Sequence, residues 1–341
     1  MTKPSRLAEH PTVRAVWSRP APKPGVIDAD WLRALCLDAG VDDVGFACVD
    51  DPALASELPH VEAALPGARS YLSLVVKMNR DNVRSTARSV ANQEFHRSGE
   101  IMNEAAHRIT RALQDAGHRV VNPSATFPME MDNYPGRIWV VAHKPVAVAA
   151  GMGAMGIHRN VIHPRFGNFI LLGTVLVASE ISGYGAPLDY SPCLECKLCV
   201  AACPVGAIKK TGDFDFVACA VHNYREFMGG FTDWVQTVAA SSDAADFRSR
   251  VSDSENASMW QSLSFKANYK AAYCLAVCPA GEEVIEPYLD DRKAFMNLVL
   301  KPLQDKRETL YVLPDSAAHA HAVKRYPHKD VKVVDGGMGR R

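Results

Sequence analysis

Between residues 98 and 116 apolar side chains recur at helical spacing, Ile101, Ala105, Ile109 and Leu113, and Gly117 closes the run, so a helix is expected to end there. Upstream, Asp28 or Asp30 can cap a second helix that runs through Asp38 and stops at Gly40. Short apolar runs at 44–48, 71–76, 118–121, 138–142, 169–178 and 309–313 read as strands, the fifth continuous enough to be buried on both faces. Pro66-Gly67 introduces one of them, and the alanine-rich stretch 146–150 reads as helix. Strands separated by helices describe a mixed α/β domain, a sheet with helices on its faces.

The polar stretches divide the chain further. A Pro-rich lead occupies residues 1–27, an α/β domain 28–182, and a cysteine-bearing domain 183–285 with a polar insertion at about 232–261, expected as surface helix or loop. A C-terminal extension, 286–341, ends in the polar segment 329–341, expected to be mobile. With 38 basic and 38 acidic residues the formal charge is zero, so nothing in the balance points to a nucleic-acid or membrane-surface partner. No run approaches the roughly eighteen apolar residues that span a bilayer, and the lead lacks the apolar core of a secretory signal; the cytoplasm is the expected compartment.

Seven of the nine cysteines fall between Cys193 and Cys278, a grouping that a large cytosolic chain uses for metal rather than for bridges. Cys36 and Cys48 stand apart and read as core packing. The run Cys193-Leu-Glu-Cys196-Lys-Leu-Cys199-Val-Ala-Ala-Cys203-Pro204 has the C-x2-C-x2-C-x3-C-P spacing, in which three thiolates hold one cubane and the fourth reaches a second cluster. A four-ligand zinc site would leave the other cysteines unexplained. Cys274-Leu-Ala-Val-Cys278-Pro279 repeats the C-x3-C-P ending, but Ala271 stands where a third cysteine is expected. By the crossed arrangement, Cys278 completes a [4Fe-4S] cube on Cys193, Cys196 and Cys199. Cys203, Cys274 and Cys219 then hold a second, [4Fe-4S] or [3Fe-4S], cluster with no fourth cysteine. His222 and Asp213 are the alternatives for its fourth ligand, and His222 reads more simply as a packing residue.

The cysteines and four upstream segments together resemble the cobalamin-dependent iron-sulfur reductases, the superfamily of epoxyqueuosine reductase and the reductive dehalogenases. The segments are Val41-Asp-Asp-Val-Gly-Phe-Ala47, Leu65-Pro-Gly-Ala-Arg-Ser70, Ala150-Gly-Met-Gly-Ala-Met-Gly156 and Ile162-His-Pro-Arg-Phe-Gly-Asn168. The resemblance covers about residues 28–285. It implies an α+β chain: a nitroreductase-like α/β domain holding a corrinoid, with an appended two-cluster ferredoxin-like domain that passes electrons to its cobalt. Gly151, Gly153, Gly156, His163 and Pro164 would line the cofactor, the glycines allowing close backbone approach or simply forming a tight turn. Their spacing also fits a dinucleotide fingerprint, but it follows a helix-like stretch, and Pro164 interrupts the helix that should bind a pyrophosphate.

The chain departs from that family at its acid-base positions. Phe95-His96 stands where dehalogenases carry a tyrosine and epoxyqueuosine reductases a Tyr-His pair; Ile157 replaces a basic residue, and Arg137 falls near an aspartate. Replacement proton donors would come from Asp132, Tyr134, Lys144 and His158, with His143, His96 and His163 as further choices and Arg159 as an anion contact. The expectation is an oxidoreductase that takes electrons from a ferredoxin or flavodoxin, through two clusters and a cobalamin, to an unidentified small-molecule substrate. Two alternatives accompany it: an electron-transfer protein or redox partner without a corrinoid, and a chain holding some other cofactor or metal near the clusters.

Overall fold

The computed structural model of the chain describes residues 7–18, 25–134, 136–270 and 272–335. Position 271, where alanine replaces the expected cysteine, lies outside them, as do parts of the lead and residues 336–341. Eight strands are described: β1 (Asp43–Cys48), β2 (Ser70–Lys77), β3 (Val120–Val121), β4 (Ala154–Met155), β5 (Val161–Ile162), β6 (Ile170–Val177), β7 (Thr309–Val312) and β8 (Asp330–Val333). The main sheet has the order β1-β2-β6-β3 with every pairing antiparallel; Phe46 lies opposite Leu72, and Leu72 opposite Val175.

Side chains alternate across each strand, and both faces are covered. On one face Phe46, Leu72, Leu74 and Val175 pack against Met102, Ile109 and Leu113 of the long helix Arg88–Asp115 and Leu32 of the helix Ala29–Asp38. On the other, Tyr71, Val75 and Leu176 meet Val61 of the helix Leu58–Ala64 and Val146 of the helix His143–Ala149. Double coverage explains why β2 and β6 read as nearly unbroken apolar runs although they are antiparallel. Asp28 caps its helix by accepting the Trp31 N–H at 2.8 Å. Cys36 is fully buried in this core, and burial pushes its thiol up to about 12.

Three elements differ from the sequence pattern. The run 138–142 forms no strand: its backbone is gripped instead by side chains, with Arg137 donating to the Val140 carbonyl and the Ala142 N–H donating to Glu57. The long helix starts at Arg88, ten residues before the apolar periodicity, because its first three turns carry a polar stripe met by another part of the chain. Arg88 donates to Ser258, Asn92 bonds both backbone groups of Tyr269, His96 contacts the Ala267 carbonyl, and Glu100 pairs with Lys266. These four residues recur every fourth position, one face of a helix. Finally, the tail expected to be mobile supplies β8, which pairs in parallel with β7, and Lys329 buries its ammonium against Glu308 at 2.7 Å.

The polar insertion is helical, Gly229–Ala239, Ala244–Arg250 and Asp253–Phe265, the last opened by a capping box between Ser252 and Glu255. Glu226 anchors it to the body by pairing with Arg88 at 2.9 Å and Lys270 at 2.7 Å and accepting Ser258 Oγ at 2.6 Å. These contacts hold the return segment 266–270 against the long helix, immediately before Cys274.

Candidate metal centre

The first cysteine loop folds tightly because Glu195 and Lys197 both adopt positive φ, +49° and +62°, before the short helix Leu198–Ala202 begins. A non-glycine residue there costs of the order of 1 kcal/mol or more, and the turn aims three sulfurs inward. Cys193, Cys196, Cys199 and Cys278 line one cavity, with Ile157, His158 and Pro279. Cys203, Cys219 and Cys274 line a second, of about 220 Å³, with Lys144, His158 and Asn160. The seven cysteines are thus brought together in two groups, and His158 lies in the wall of both.

Electrostatics couples the thiols within each group and links the two groups through Cys274, which acts on both Cys199 and Cys278. Burial pushes the Cys278 thiol up to about 12, with Cys196 and Cys193 adding to the shift. It also pushes Cys219 up to about 12, helped by Cys274 and Cys203, and Cys274 to about 11, helped by Cys203. Such thiols become thiolates only as metal displaces their protons. Backbone amides are already aimed at the sulfurs: those of Leu198, Val200 and Ala280 at Cys196, Cys199 and Cys278, and those of Ala207 and Leu275 at Cys203 and Cys274. Among the described residues no three His, Cys, Asp or Glu converge on a single metal ion. A cube asks for no such convergence, since each thiolate takes its own iron. Buried and half-buried sulfurs in two groups, each group met by amide donors, fit two clusters.

Neither alternative ligand gains support. Asp213 lies exposed in a turn, accepting the Thr211 hydroxyl at 2.8 Å. His222 is buried in the second cavity's wall, but its Nδ1 accepts the Tyr311 N–H at 3.3 Å. The proton therefore sits on Nε2, which leaves no lone pair for iron, and burial holds the ring down to about 4.

The glycine turn is spoken for by the chain itself. A Cβ on Gly151 would come within 2.7 Å of the Ala186 carbonyl, on Gly153 within 2.4 Å of that of Ile162, and on Gly156 within 2.8 Å of the His158 ring. At their Cβ positions these glycines give close approach to protein. His163 donates from Nε2 to Asp43 at 3.0 Å, accepts the Arg165 N–H at Nδ1 and stacks on Phe166. The carbonyl of Pro164 accepts the Glu282 N–H at 2.9 Å, so this segment joins the α/β domain to the chain after Cys278.

The four residues named as proton donors separate. Lys144 and His158 reach the second cavity, whereas Asp132 is exposed in a turn and Tyr134 has a buried hydroxyl with no partner, its pKa raised by burial. His143 bonds Thr174 at 2.9 Å, and Arg137 is committed to Glu57 at 3.0 Å. A residue that the sequence does not mark, Asn160, places its amide 3.8 Å from Cys274 Sγ; a single asparagine after a glycine turn carries no spacing signal.

A larger cavity, of about 560 Å³, opens beside the second cysteine group. Its walls carry the rings of Phe95, Phe127, Phe227 and Tyr269, and Asn223, Ala272 and Leu275 line both cavities. Phe227 meets Phe127 and Tyr269 edge-on at 5.9 and 5.2 Å. Ser262 and Leu263 of the helix Asp253–Phe265 close one side.

Residues 186–209 match a family model described as a 4Fe-4S binding domain. Among curated proteins, an epoxyqueuosine reductase of Synechococcus sp. (strain CC9605) is 34% identical over 76 residues, 22% of this chain and 23% of the relative. One from Staphylococcus aureus (strain NCTC 8325 / PS 47) is 32% identical over 80 residues, 24% of this chain and 20% of the relative. The chain therefore aligns with about a fifth to a quarter of the length of these relatives. Among solved structures, an epoxyqueuosine reductase from Bacillus subtilis matches with a TM-score of 0.48 at 16% identity, over 90% of this chain and 76% of the other. A reductive dehalogenase matches with a TM-score of 0.49 at 13% identity, over 90% and 38%.

Proposed function

We propose that this chain, a relative of the epoxyqueuosine reductases and an iron-sulfur protein, is a reductase whose two clusters deliver electrons to a flat, conjugated substrate in the aromatic cavity. The observation that carries the reading is the shared wall: Asn223, Ala272 and Leu275 separate that cavity from the sulfurs of Cys203, Cys219 and Cys274. Cys193 and Cys196 are partly exposed, so the first cluster is the one a ferredoxin- or flavodoxin-type donor reaches. A second cluster held by Cys203, Cys219 and Cys274 would take those electrons singly. Reduction of a quinone-like acceptor balances as two electrons, one from each cluster, and two protons taken from water.

The small-ligand reading takes the place of the corrinoid that the family resemblance implies. The Cβ positions of Gly151, Gly153 and Gly156, in the expected cradle, face the chain's own atoms. The aromatic cavity lies within the range of about 300–1,000 Å³ that suits a drug-sized ligand.

The test uses the reconstituted, dithionite-reduced chain and 1,4-naphthoquinone as the probe, following cluster absorbance by anaerobic stopped flow. A Cβ at Gly99 would meet Thr126 at 3.7 Å, an ordinary contact, so Gly99→Leu projects into the cavity without touching a cysteine. Reoxidation should saturate with quinone in the parent chain and lose saturation in the variant, with cluster signals unchanged. Equal behaviour of the two proteins would favour an electron carrier that holds no substrate.

A further inference from the structure

Strands β4 and β5 form a small hairpin whose turn, 156–160, is fixed at every backbone position that matters. The Gly156 N–H donates to the Asn160 carbonyl at 2.9 Å, the Arg159 N–H to the Gly156 carbonyl at 2.9 Å, and the Asn160 N–H to His158 Nδ1 at 3.1 Å. Arg159 holds φ at +61°, an uncommon state for a side chain of its size. Lys144 Nζ donates to the Arg159 carbonyl at 2.8 Å and to Asn160 Oδ1 at 2.9 Å. With its oxygen held by the ammonium, the Asn160 amide has only its NH2 left to face Cys274 Sγ.

We propose that Asn160, oriented by Lys144, donates a hydrogen bond to the Cys274 thiolate and so raises the potential of the second cluster above that of the first. The inference rests on the two-cluster reading above. Reduction adds negative charge to a cluster and its thiolates, and a donor backed by a cation stabilises the reduced form more than the oxidised one. The first group has no side-chain amide donor to a sulfur among the described contacts; a cation acting on it is the half-buried Arg84, coupled to Cys278 and donating to the Ala276 carbonyl at 3.1 Å. Its sulfurs meet backbone amides, and the nearby Lys197 is paired with Glu195 at 3.6 Å. One electron therefore moves from the first cluster, which is oxidised, to the second, which is reduced, with no proton transferred.

Lys144 and Asn160 are positioning residues, and potentials report on them directly. Redox titrations of the reconstituted full chain, read by electron paramagnetic resonance, would compare the parent with Asn160→Ala and Lys144→Met. Each substitution should shift electron sharing about tenfold toward the first cluster, equivalent to about 59 mV for a one-electron couple. The first midpoint and the iron content should stay as they were. If Asn160→Ala loses iron, Lys144→Met, which keeps all seven cysteines and Asn160, decides the matter. A second midpoint unchanged in Lys144→Met overturns the inference and leaves two clusters standing; a parent chain with one signal overturns both.

Discussion

Asn92 holds Tyr269 by both backbone groups: its Nδ2 donates to the Tyr269 carbonyl at 3.0 Å, and its Oδ1 accepts the Tyr269 N–H at 2.8 Å. One buried amide thus replaces the pairing that a strand would have given, and it fixes an aromatic wall of the cavity five residues before Cys274. Asn92→Asp keeps the size but sets a carboxylate oxygen against the carbonyls of Tyr269 and Arg88. It should cost about 1–3 kcal/mol of stability, the range for a buried unsatisfied group, and weaken quinone binding. Urea unfolding and stopped-flow saturation read the two effects; an unchanged midpoint and saturation would show that Asn92 does not hold the wall.

His158 should matter for structure before chemistry. Its Nδ1 accepts the Asn160 N–H at 3.1 Å, and its Nε2 lies 3.0 Å from the Asn168 amide nitrogen. His158→Leu leaves both neighbours unpaired and should lower stability by about 1–3 kcal/mol. Thermal unfolding measures this, and parental stability would mean that water takes over the ring's bonds.

The Glu57–Arg137 pair gives the α/β domain an acid limit. Burial raises the Glu57 carboxyl, but hydrogen bonds from Arg137 and the Ala142 N–H outweigh it and hold the group below its ordinary 4.5. A depressed folded value means the stabilisation is fully present above about pH 4.5 and is lost as pH falls through the folded value. Glu57→Gln should flatten the stability profile below pH 5 and leave the half-buried Arg137 with the Trp139 and Val140 carbonyls but no carboxylate, costing about 1–3 kcal/mol at neutral pH. Equilibrium unfolding across pH 3–7 tests this, and an acid slope unchanged in the variant would count against the pair.

Hydroxocobalamin offers a direct check on the closed glycine turn. After anaerobic incubation and desalting, the chain should retain no corrinoid spectrum. Retention at one equivalent would mean that the turn and the aromatic wall open together, and the small-ligand reading would fail.

The cysteine spacing and the apolar periods are local signals, and they located the cluster loop, the main strands and the core half of the long helix. Its first three turns escaped because Arg88, Asn92, His96 and Glu100 are satisfied by residues 170 or so positions away, a contact that no period encodes. β8 was missed for a related reason: its residues are exposed or half-buried and depend on β7 for their order. The glycine turn was legible as a turn, but what it approaches is decided by tertiary packing, and it delivers His158 and Asn160 to the sulfurs.

Acid-labile sulfide and iron analysis, combined with electron paramagnetic resonance on the reconstituted chain and on Cys219→Ala, tests the two-group arrangement most directly. The account predicts about seven to eight irons per chain and two signals, of which Cys219→Ala removes only the second. About four irons with a single signal that survives Cys219→Ala would contradict it.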